Sequence, residues 1–458
     1  MELQLNFCPV ARQAILTPEL IALQLEDQQV TFAELHQYVT SLTDQLLELN
    51  MKKGDRLVSI GSNRLHLLLL QLTCLRNSFI FCPINPKFSN SEIEQRLVLL
   101  DSPFVWQENN SCGLVLNFNL NPLFKTEPEP ISINAKAVIS IIFTSGSSGK
   151  PKAIMHNFSN HFYSALGSQH VISLKSGDKN LLSLPLFHIS GYATVMRTLL
   201  AGATLQLSDN KLTVDHLKKS KISHLSLVSS QLQQLLADKQ FKAANLSIKH
   251  LLLGGSAFPK KALQQLSERG FTYHLSYGST EMASQVATST NSEQLQILPY
   301  RQLKIIDKEI CLAGETRFVG YFTKNNKREL INKSNYFASS DMGELKGDSL
   351  RVIGRKDRQF ISGGENIQPE EIEQLLLTHP AVLQAYVLPI DDAKYGQRPI
   401  AFIKWAKVDQ SMQLKEFIKE KLIGFKHPLH YLPLPESQGI KPNPKQLVDI
   451  ALKLLFIN

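Results

Sequence analysis

An α/β protein of at least two domains, with largely parallel strands in the larger one and a small α+β lobe at the carboxyl end, follows from three features of the chain. Strand-like and helix-like segments alternate through the first three quarters, the pattern of a parallel sheet covered by helices. At 458 residues the chain exceeds what one hydrophobic core organises. Its character then changes at Gly354-Arg355-Lys356-Asp357, a charged stretch after which a shorter α/β pattern begins. The predicted domains are 1–354 and 355–458, with a hinge as the natural use of the Gly354–Asp357 segment between them.

Composition narrows the function classes. With 43% hydrophobic and 19% charged residues this is an ordinary globular composition. The net charge of +9 is spread along the chain. It favours small anionic substrates, and no basic, aromatic-interleaved module points to nucleic acid. Five cysteines, Cys8, Cys74, Cys82, Cys112 and Cys311, are scattered without C-x-x-C spacing. That usage fits a reduced cytoplasmic protein without structural zinc. No signal-peptide pattern occupies the first twenty residues. The most apolar stretch, Leu65–Phe81, contains His66, Gln71, Arg76 and Asn77, too many polar groups for a membrane span. Monomer and homo-oligomer both remain open.

Taken in order, Thr31-Phe-Ala-Glu34 has the spacing of a capping box and predicts a helix start. Asp55–Ile60 reads as a strand, Asn63–Leu75 as a helix, and Phe79–Cys82 as a strand ending at Pro83. Ser89–Leu100 has helical periodicity, with Ser89 or Ser91 as cap. Gln107–Pro130 is polar and rich in Pro and Asn, a loop excursion. Ala137–Phe143 is a buried strand. Further on, Lys249–Leu253 is a short strand, and Pro259 opens a helix that closes at Gly270. A second strand, Phe271–Ser276, follows. In the small lobe Pro369 opens a helix with Glu370 and Glu371 at its positive end. Strands at Gln384–Leu388 and Ile400–Trp405 and a helix at Leu414–Leu422 complete it.

Four stretches carry chemistry. In F-T-S-G-S-S-G-K-P-K-A (143–153), Gly146 and Gly149 admit close backbone approach. Ser145, Ser147 and Ser148 offer hydroxyls, and Lys150 and Lys152 bring charge, a cradle for phosphate oxygens. The spacing is not that of a Walker A loop, and Pro151 steers the chain into extended structure rather than a helix. Gly254-Gly255-Ser256 and Tyr277-Gly278-Ser279-Thr280-Glu281 follow the two strands of the 249–281 unit. If those strands are parallel neighbours, both loops emerge at one carboxyl edge, where open α/β sheets bind ligands. Tyr277 suits stacking on a base, and Glu281 suits a divalent cation beside phosphates. In Leu184–Gly191, His188 precedes Ser190-Gly191. Arg197, farther along a helical stretch, serves equally well as a structural ion-pair partner or as the partner of a substrate carboxylate.

Jointly these motifs resemble the adenylate-forming superfamily of acyl-CoA ligases, peptide-synthetase adenylation domains and luciferases, over nearly the whole chain. The phosphate loop 144–152, Y-G-S-T-E (277–281), S-S-D-M-G-E (339–344) and G-R-K-D (354–357) stand in the order of that superfamily. L-L-S-L-P-L-F-H-I-S-G (181–191), L-L-G-G-S-A (252–257), S-G-G-E-N-I-Q-P-E-E (362–371) and G-I-K-P (439–442) resemble its branch of bacterial o-succinylbenzoate–CoA ligases of menaquinone biosynthesis.

The resemblance implies a large multi-sheet domain and a mobile small lobe, with ATP, Mg²⁺ and coenzyme A as reactants and cofactor. It implies that an acid is activated as an acyl adenylate and then passed to the CoA thiol. Carried over by residue, Thr144–Lys152 holds the β- and γ-phosphates, Thr280 the α-phosphate, and Glu281 and Thr144 the metal. Gly255, Ser256, Ala257 and Tyr277 surround adenine, with Gly278 and Ser279 beside them. Asp341 binds the ribose, helped by Arg355. His188, Ser190, Gly191 and Gly254 line the acyl pocket, where Arg197 meets a carboxylate. Lys441 is the bridging lysine implied by Gly439-Ile440-Lys441, with Lys445 as the alternative. Serines at 229 and 230 depart from the Pro and Thr common in the superfamily. A ligase for another aryl or short-chain acid, and a non-catalytic nucleotide-binding regulator, are the rival readings.

Overall fold

The computed structural model describes residues 5–108, 113–118, 127–145, 151–323, 328–329, 336–406, 408–435 and 444–456. Two sheets build the large domain and a third builds the small lobe. The first is centred on the parallel strands Val138–Ser145, Ile80–Ile84, Arg56–Ile60 and Phe104–Gln107. Beyond Val138–Ser145 it continues antiparallel through Pro151–Asn157 and Gly320–Phe322. The second has a parallel centre in the spatial order Tyr273–Ser279, His250–Leu253, His224–Leu227, Lys179–Leu181, Thr204–Gln206, Ile21–Gln24. An antiparallel set through Ser284–Thr290, Phe337–Lys346 and Ser349–Arg355 extends it toward the hinge.

Parallel pairing is thus the rule at both centres, and hairpins extend the ends. The sequence shows why. Helix Phe32–Glu48 carries the chain from the second sheet to the first, crossover helices such as Leu65–Asn77 and Lys260–Glu268 join parallel neighbours, and the later strands are joined by short turns. Thr31 caps the first of these helices: its Oγ1 accepts from Glu34 N, and Glu34 reaches back to Thr31 N at 2.7 Å. Ser89 rather than Ser91 plays that part for Asn90–Leu100, again in a reciprocal pair with Glu92. Leu65–Asn77 is buried almost all round, as a helix with no polar face must be.

Two boundaries differ from expectation. The strand Ile80–Ile84 runs on through Pro83, which registers opposite Ser59; proline costs one donor there but fits extended backbone. The helix predicted from Asn63 begins at Leu65, because the Asn63 side chain is engaged elsewhere. Its Nδ2 donates to Leu184 O and its Oδ1 accepts from Leu186 N, both at 2.7 Å.

In the small lobe the antiparallel pair Val382–Asp392 and Gly396–Trp405 is flanked by Phe360–Ser362 and Tyr431–Pro433. Helices Pro369–Leu376 and Ser411–Lys419 cover it through Ile372, Leu376, Leu414 and Ile418. The last helix, Pro444–Phe456, packs Leu447 and Ala451 against Leu388, Ile400 and Phe402. Among the described residues no helix is long and apolar enough to cross a membrane.

Candidate active site

Strand Val138–Ser145 delivers Thr144, and strand Pro151–Asn157 returns with Lys152 directly opposite it. Extended chain after Pro151 is what the proline predicted. Gly146, Ser147, Ser148, Gly149 and Lys150 lie outside the described residues, as does Lys441. The Lys152 ammonium stands 5.4 Å from the centre of the Tyr321 ring, and the Tyr321 hydroxyl donates to Glu281 Oε1 at 3.4 Å. The return strand of the phosphate loop and the Thr280-Glu281 turn therefore belong to one site.

That turn is gripped from several sides. His156 Nε2 meets the Thr280 carbonyl at 2.7 Å, Phe318 N donates to Glu281 O at 2.7 Å, and Ser164 Oγ donates to Ala283 O at 2.6 Å. Ala283 and Ser284 then adopt φ of 51° and 113°, values a side chain disfavours. Such backbone persists only where its surroundings over-determine it, and it concentrates at ligand sites. Gly278 is obligatory for a related reason: a Cβ there would lie 2.0 Å from the Ser284 carbonyl oxygen. Ser279 Oγ is buried without a partner among the described residues.

Strands His250–Leu253 and Tyr273–Ser279 are parallel neighbours, so Gly254–Ala257 and Tyr277–Glu281 do emerge together. Gly255, Ser256 and Ala257 are exposed at that edge. The Tyr277 hydroxyl donates to Asp341 Oδ2 at 2.7 Å, and Arg355 Nη1 donates to Asp341 Oδ1 at 3.2 Å. Burial and the Asp341 carboxylate push the Tyr277 phenol well above its usual range, so it stays protonated. Arg355 also forms a two-point pair with Asp357, at 3.0 and 2.7 Å. That pair raises the arginine's pKa and lowers the aspartate's, keeping both charged. Ser340, with φ of 61°, precedes Asp341 as a second strained point.

His188 caps the start of helix Ile189–Ala201, and burial pulls its imidazole down to about 4, leaving it neutral at physiological pH. Gly191 is explained by its own chain: a Cβ would meet the Pro185 carbonyl oxygen at 2.2 Å. Ser190, Thr194 and Arg197 lie along one face at i, i+4, i+7. Thr194 Oγ1 bonds to Ser190 O and accepts from Arg197 Nη2 at 3.1 Å. Arg197 is only 9% exposed. Burial, with no carboxylate among the described residues to offset it, pulls its pKa down to about 10. The structural ion pair is therefore not formed among these residues. A small cavity of about 10 Å³ lies beside it, lined by Asn180, His224, Ser226 and His250 among others.

Sequence reasoning missed His156, Tyr321 and Asn63. His156 had a signal, a lone imidazole in an apolar strand four residues after Lys152. Tyr321 and Asn63 had none: Tyr321 meets Glu281 across 40 residues, and Asn63 meets Leu184 across 121.

A hairpin of the first sheet bearing Thr144 and Lys152 thus meets, through Tyr321, the acidic turn that follows Tyr273–Ser279 in the second, beside the tyrosine–aspartate–arginine cluster. The chain matches the family of AMP-binding enzymes over residues 10–322, and the AMP-binding enzyme C-terminal domain over residues 371–437. It belongs to that family. The 2-succinylbenzoate–CoA ligase of Escherichia coli (strain K12) is 33% identical across 92% of this chain and 93% of its own. That of Bacillus subtilis (strain 168) is 31% identical across 96% of each. The o-succinylbenzoate CoA synthetase (MenE) from Bacillus subtilis, solved in complex with the acyl-adenylate intermediate OSB-AMP, superposes with a TM-score of 0.86. It is 29% identical over 96% of this chain and 98% of that one. The same enzyme in complex with ATP and magnesium ion gives 0.86 at 29% identity, over 97% and 100%.

Proposed function

We propose that this protein is an ATP-dependent, AMP-forming ligase that converts o-succinylbenzoate to o-succinylbenzoyl-CoA. A carboxylate oxygen of the acid bonds to the α-phosphorus of ATP as the bond from that phosphorus to pyrophosphate breaks. The sulfur of coenzyme A, losing its proton, then bonds to the acyl carbon, and AMP leaves with the carboxylate oxygen. The observation that carries the reading is the continuity from Lys152 through Tyr321 to Glu281, and from the same loop's Tyr277 to Asp341.

In this reading Thr144, Ser145, the glycine–serine loop 146–149 and Lys152 hold the β- and γ-phosphates. Thr280 and the unpartnered Ser279 hydroxyl face the α-phosphate. Gly255, Ser256, Ala257, Tyr277 and Gly278 bound the adenine, and Asp341 with Arg355 takes the ribose hydroxyls. The donor set at Glu281 and Thr144 is all oxygen, which suits Mg²⁺; bound there, the ion would neutralise phosphate charge. Lys441 would bridge the attacking carboxylate and the α-phosphate, a contact worth about 10²–10³ in rate for donors of this kind.

The acid is read from helix Ile189–Ala201. His188, Ser190, Gly191 and Gly254 border the end nearest the α-phosphate. Arg197 stands nine residues beyond His188, about 13 Å along the axis at 1.5 Å per residue. A buried guanidinium at that depth suits an acid with a second, distant carboxylate. Its water-sized cavity must widen as the acid enters. Hinge motion about Asp357, between a domain of 1–354 and a lobe of 355–458, would serve the two steps in turn. A cytoplasmic location fits the carbonyl-thioester chemistry and the four buried free thiols, Cys8, Cys74, Cys82 and Cys311.

Acid-dependent pyrophosphate–ATP exchange, followed by CoA-dependent AMP release, tests this. o-Succinylbenzoate is expected to outperform benzoate and medium-chain fatty acids. Preference for a monoacid would give the substrate to the rival aryl or short-chain ligase, and nucleotide binding without exchange would leave only a regulator.

A further inference from the structure

The Thr280-Glu281 turn, which runs into the strained backbone of Ala283 and Ser284, is held by contacts from outside it. One comes from the strand that leaves the phosphate loop. We propose that His156 is a positioning residue for nucleotide activation: its Nε2–H holds the Thr280 carbonyl, fixing the Thr280 hydroxyl and the Glu281 carboxylate against the phosphate loop. This rests on the reading that Thr280 and Glu281 face the nucleotide.

The assignment of the proton is chemical. A backbone carbonyl only accepts, so the 2.7 Å contact requires the hydrogen on Nε2. The ring is fully buried, and burial depresses its pKa to about 4, so the neutral form is the one present. The other nitrogen, Nδ1, has no partner among the described residues. Carrying a lone pair there is cheaper than burying a second unsatisfied donor, which protonation would create.

Geometry explains why this bond matters to function rather than only to packing. His156 sits four residues after Lys152 on a rigid strand paired with the one that carries Thr144. Its bond is therefore a direct strut between the phosphate loop and the turn bearing Glu281. The strut is itself braced: the His156 ring lies 5.0 Å from His161, whose Nε2 bonds Ser140 Oγ and whose ring stacks on Tyr192 at 4.1 Å. Tyr192 belongs to helix Ile189–Ala201, the helix of Ser190 and Arg197. One buried file of rings thus ties three walls of the site together.

The test uses the full-length protein. In the wild type, ¹⁵N-resolved NMR of His156 is expected to report a neutral Nε2–H tautomer from pH 8 to 5, with its signal shifted by Mg·ATP. A neutral Nδ1–H tautomer overturns the proposal without any substitution. His156→Leu is expected to lower kcat/KM for ATP in pyrophosphate exchange by about 10- to 100-fold, the loss of one buried bond expressed at the transition state. Thioester formation from pre-made acyl adenylate should stay within about threefold of wild type. His156→Gln, whose amide can donate toward the same carbonyl, should recover most of the exchange rate. Equal loss of both half-reactions, or failure of Gln to rescue, makes His156 a packing residue only and overturns the proposal. Were the wild type itself to show no acid-dependent exchange, the proposed function would fall, a result distinct from any difference among the variants.

Discussion

The Tyr277 hydroxyl and the Asp341 carboxylate, 64 residues apart in sequence, meet at 2.7 Å, so the strand that runs into the Thr280-Glu281 turn also buttresses the residue proposed to bind the ribose. Because Arg355 holds the other oxygen of the same carboxylate, Asp341 is oriented from the loop and from the hinge at once. A nucleotide seated there would feel both.

Tyr277→Phe removes one charge-assisted bond and leaves Arg355 bonded to Asp341. Such bonds are worth about 1.5–3 kcal/mol, of which only the part that orients Asp341 reaches the ligand. The KM for ATP is expected to rise roughly 3- to 10-fold, with the KM for the acid unchanged. Steady-state kinetics with one substrate saturating separates these. A rise confined to the acid would move Asp341 out of the nucleotide site.

Arg197 gives a prediction on the opposite wall. Arg197→Met keeps the side-chain volume and removes the guanidinium from a site with no carboxylate among the described residues. Stability should hold or rise slightly, because a buried unpaired charge is relieved. The acid KM should increase on the order of 30- to 100-fold, the value of a charge-assisted carboxylate bond. Thermal melts and acid titrations read the two effects independently. Loss of stability together with an unaltered acid KM would make Arg197 a structural residue.

What the sequence made legible was local. Capping at Thr31 and Ser89, the extended exit from Pro151, and the strand character of His250–Leu253 and Tyr273–Ser279 all depend on neighbours a few residues away, which short-range patterns report. The contacts that assemble the site span long loops. Lys152 reaches Tyr321, His156 reaches Thr280, and Asn63 clamps the backbone at Leu184 and Leu186. No periodicity encodes such a meeting. Gly191 shows the limit from the other side: the motif offers a glycine for the acyl pocket, and nothing in it reports that a Cβ there would meet the Pro185 carbonyl oxygen.

Acid sensitivity follows from the histidines. Burial pulls His36, His156, His188, His224 and His274 from the ordinary 6.5 to about 4. Between those values the unfolded chain binds protons that the folded chain refuses, so stability rises with pH there. It is full above about pH 6.5, falls as the pH drops below it, and stops falling from this cause near pH 4. The melting temperature should therefore decline already between pH 6.5 and 5, before most carboxylates titrate. His274→Asn should flatten that decline. A constant melting temperature across that interval would mean that these imidazoles are not held neutral.

The hinge offers the sharpest division of the two half-reactions. Lys441 precedes the last helix, Pro444–Phe456, which belongs to the small lobe, whereas the phosphate loop belongs to the large domain. In the proposed function, rotation of the lobe brings this lysine to the α-phosphate for adenylation and withdraws it for the CoA step. Lys441→Ala is expected to lower adenylation by about 10²–10³ while thioester formation from pre-made acyl adenylate stays within about threefold. Lys445→Ala, inside the helix, should leave adenylation near wild type; the reverse pattern would transfer the role to Lys445. Asp357→Pro stiffens the segment Lys356–Arg358 and removes the carboxylate that holds Arg355 at two points. Adenylation should then survive and the CoA step fail, so burst experiments should trap about one equivalent of acyl adenylate per enzyme. Loss of adenylation with the CoA step intact would place the pivot elsewhere in the chain.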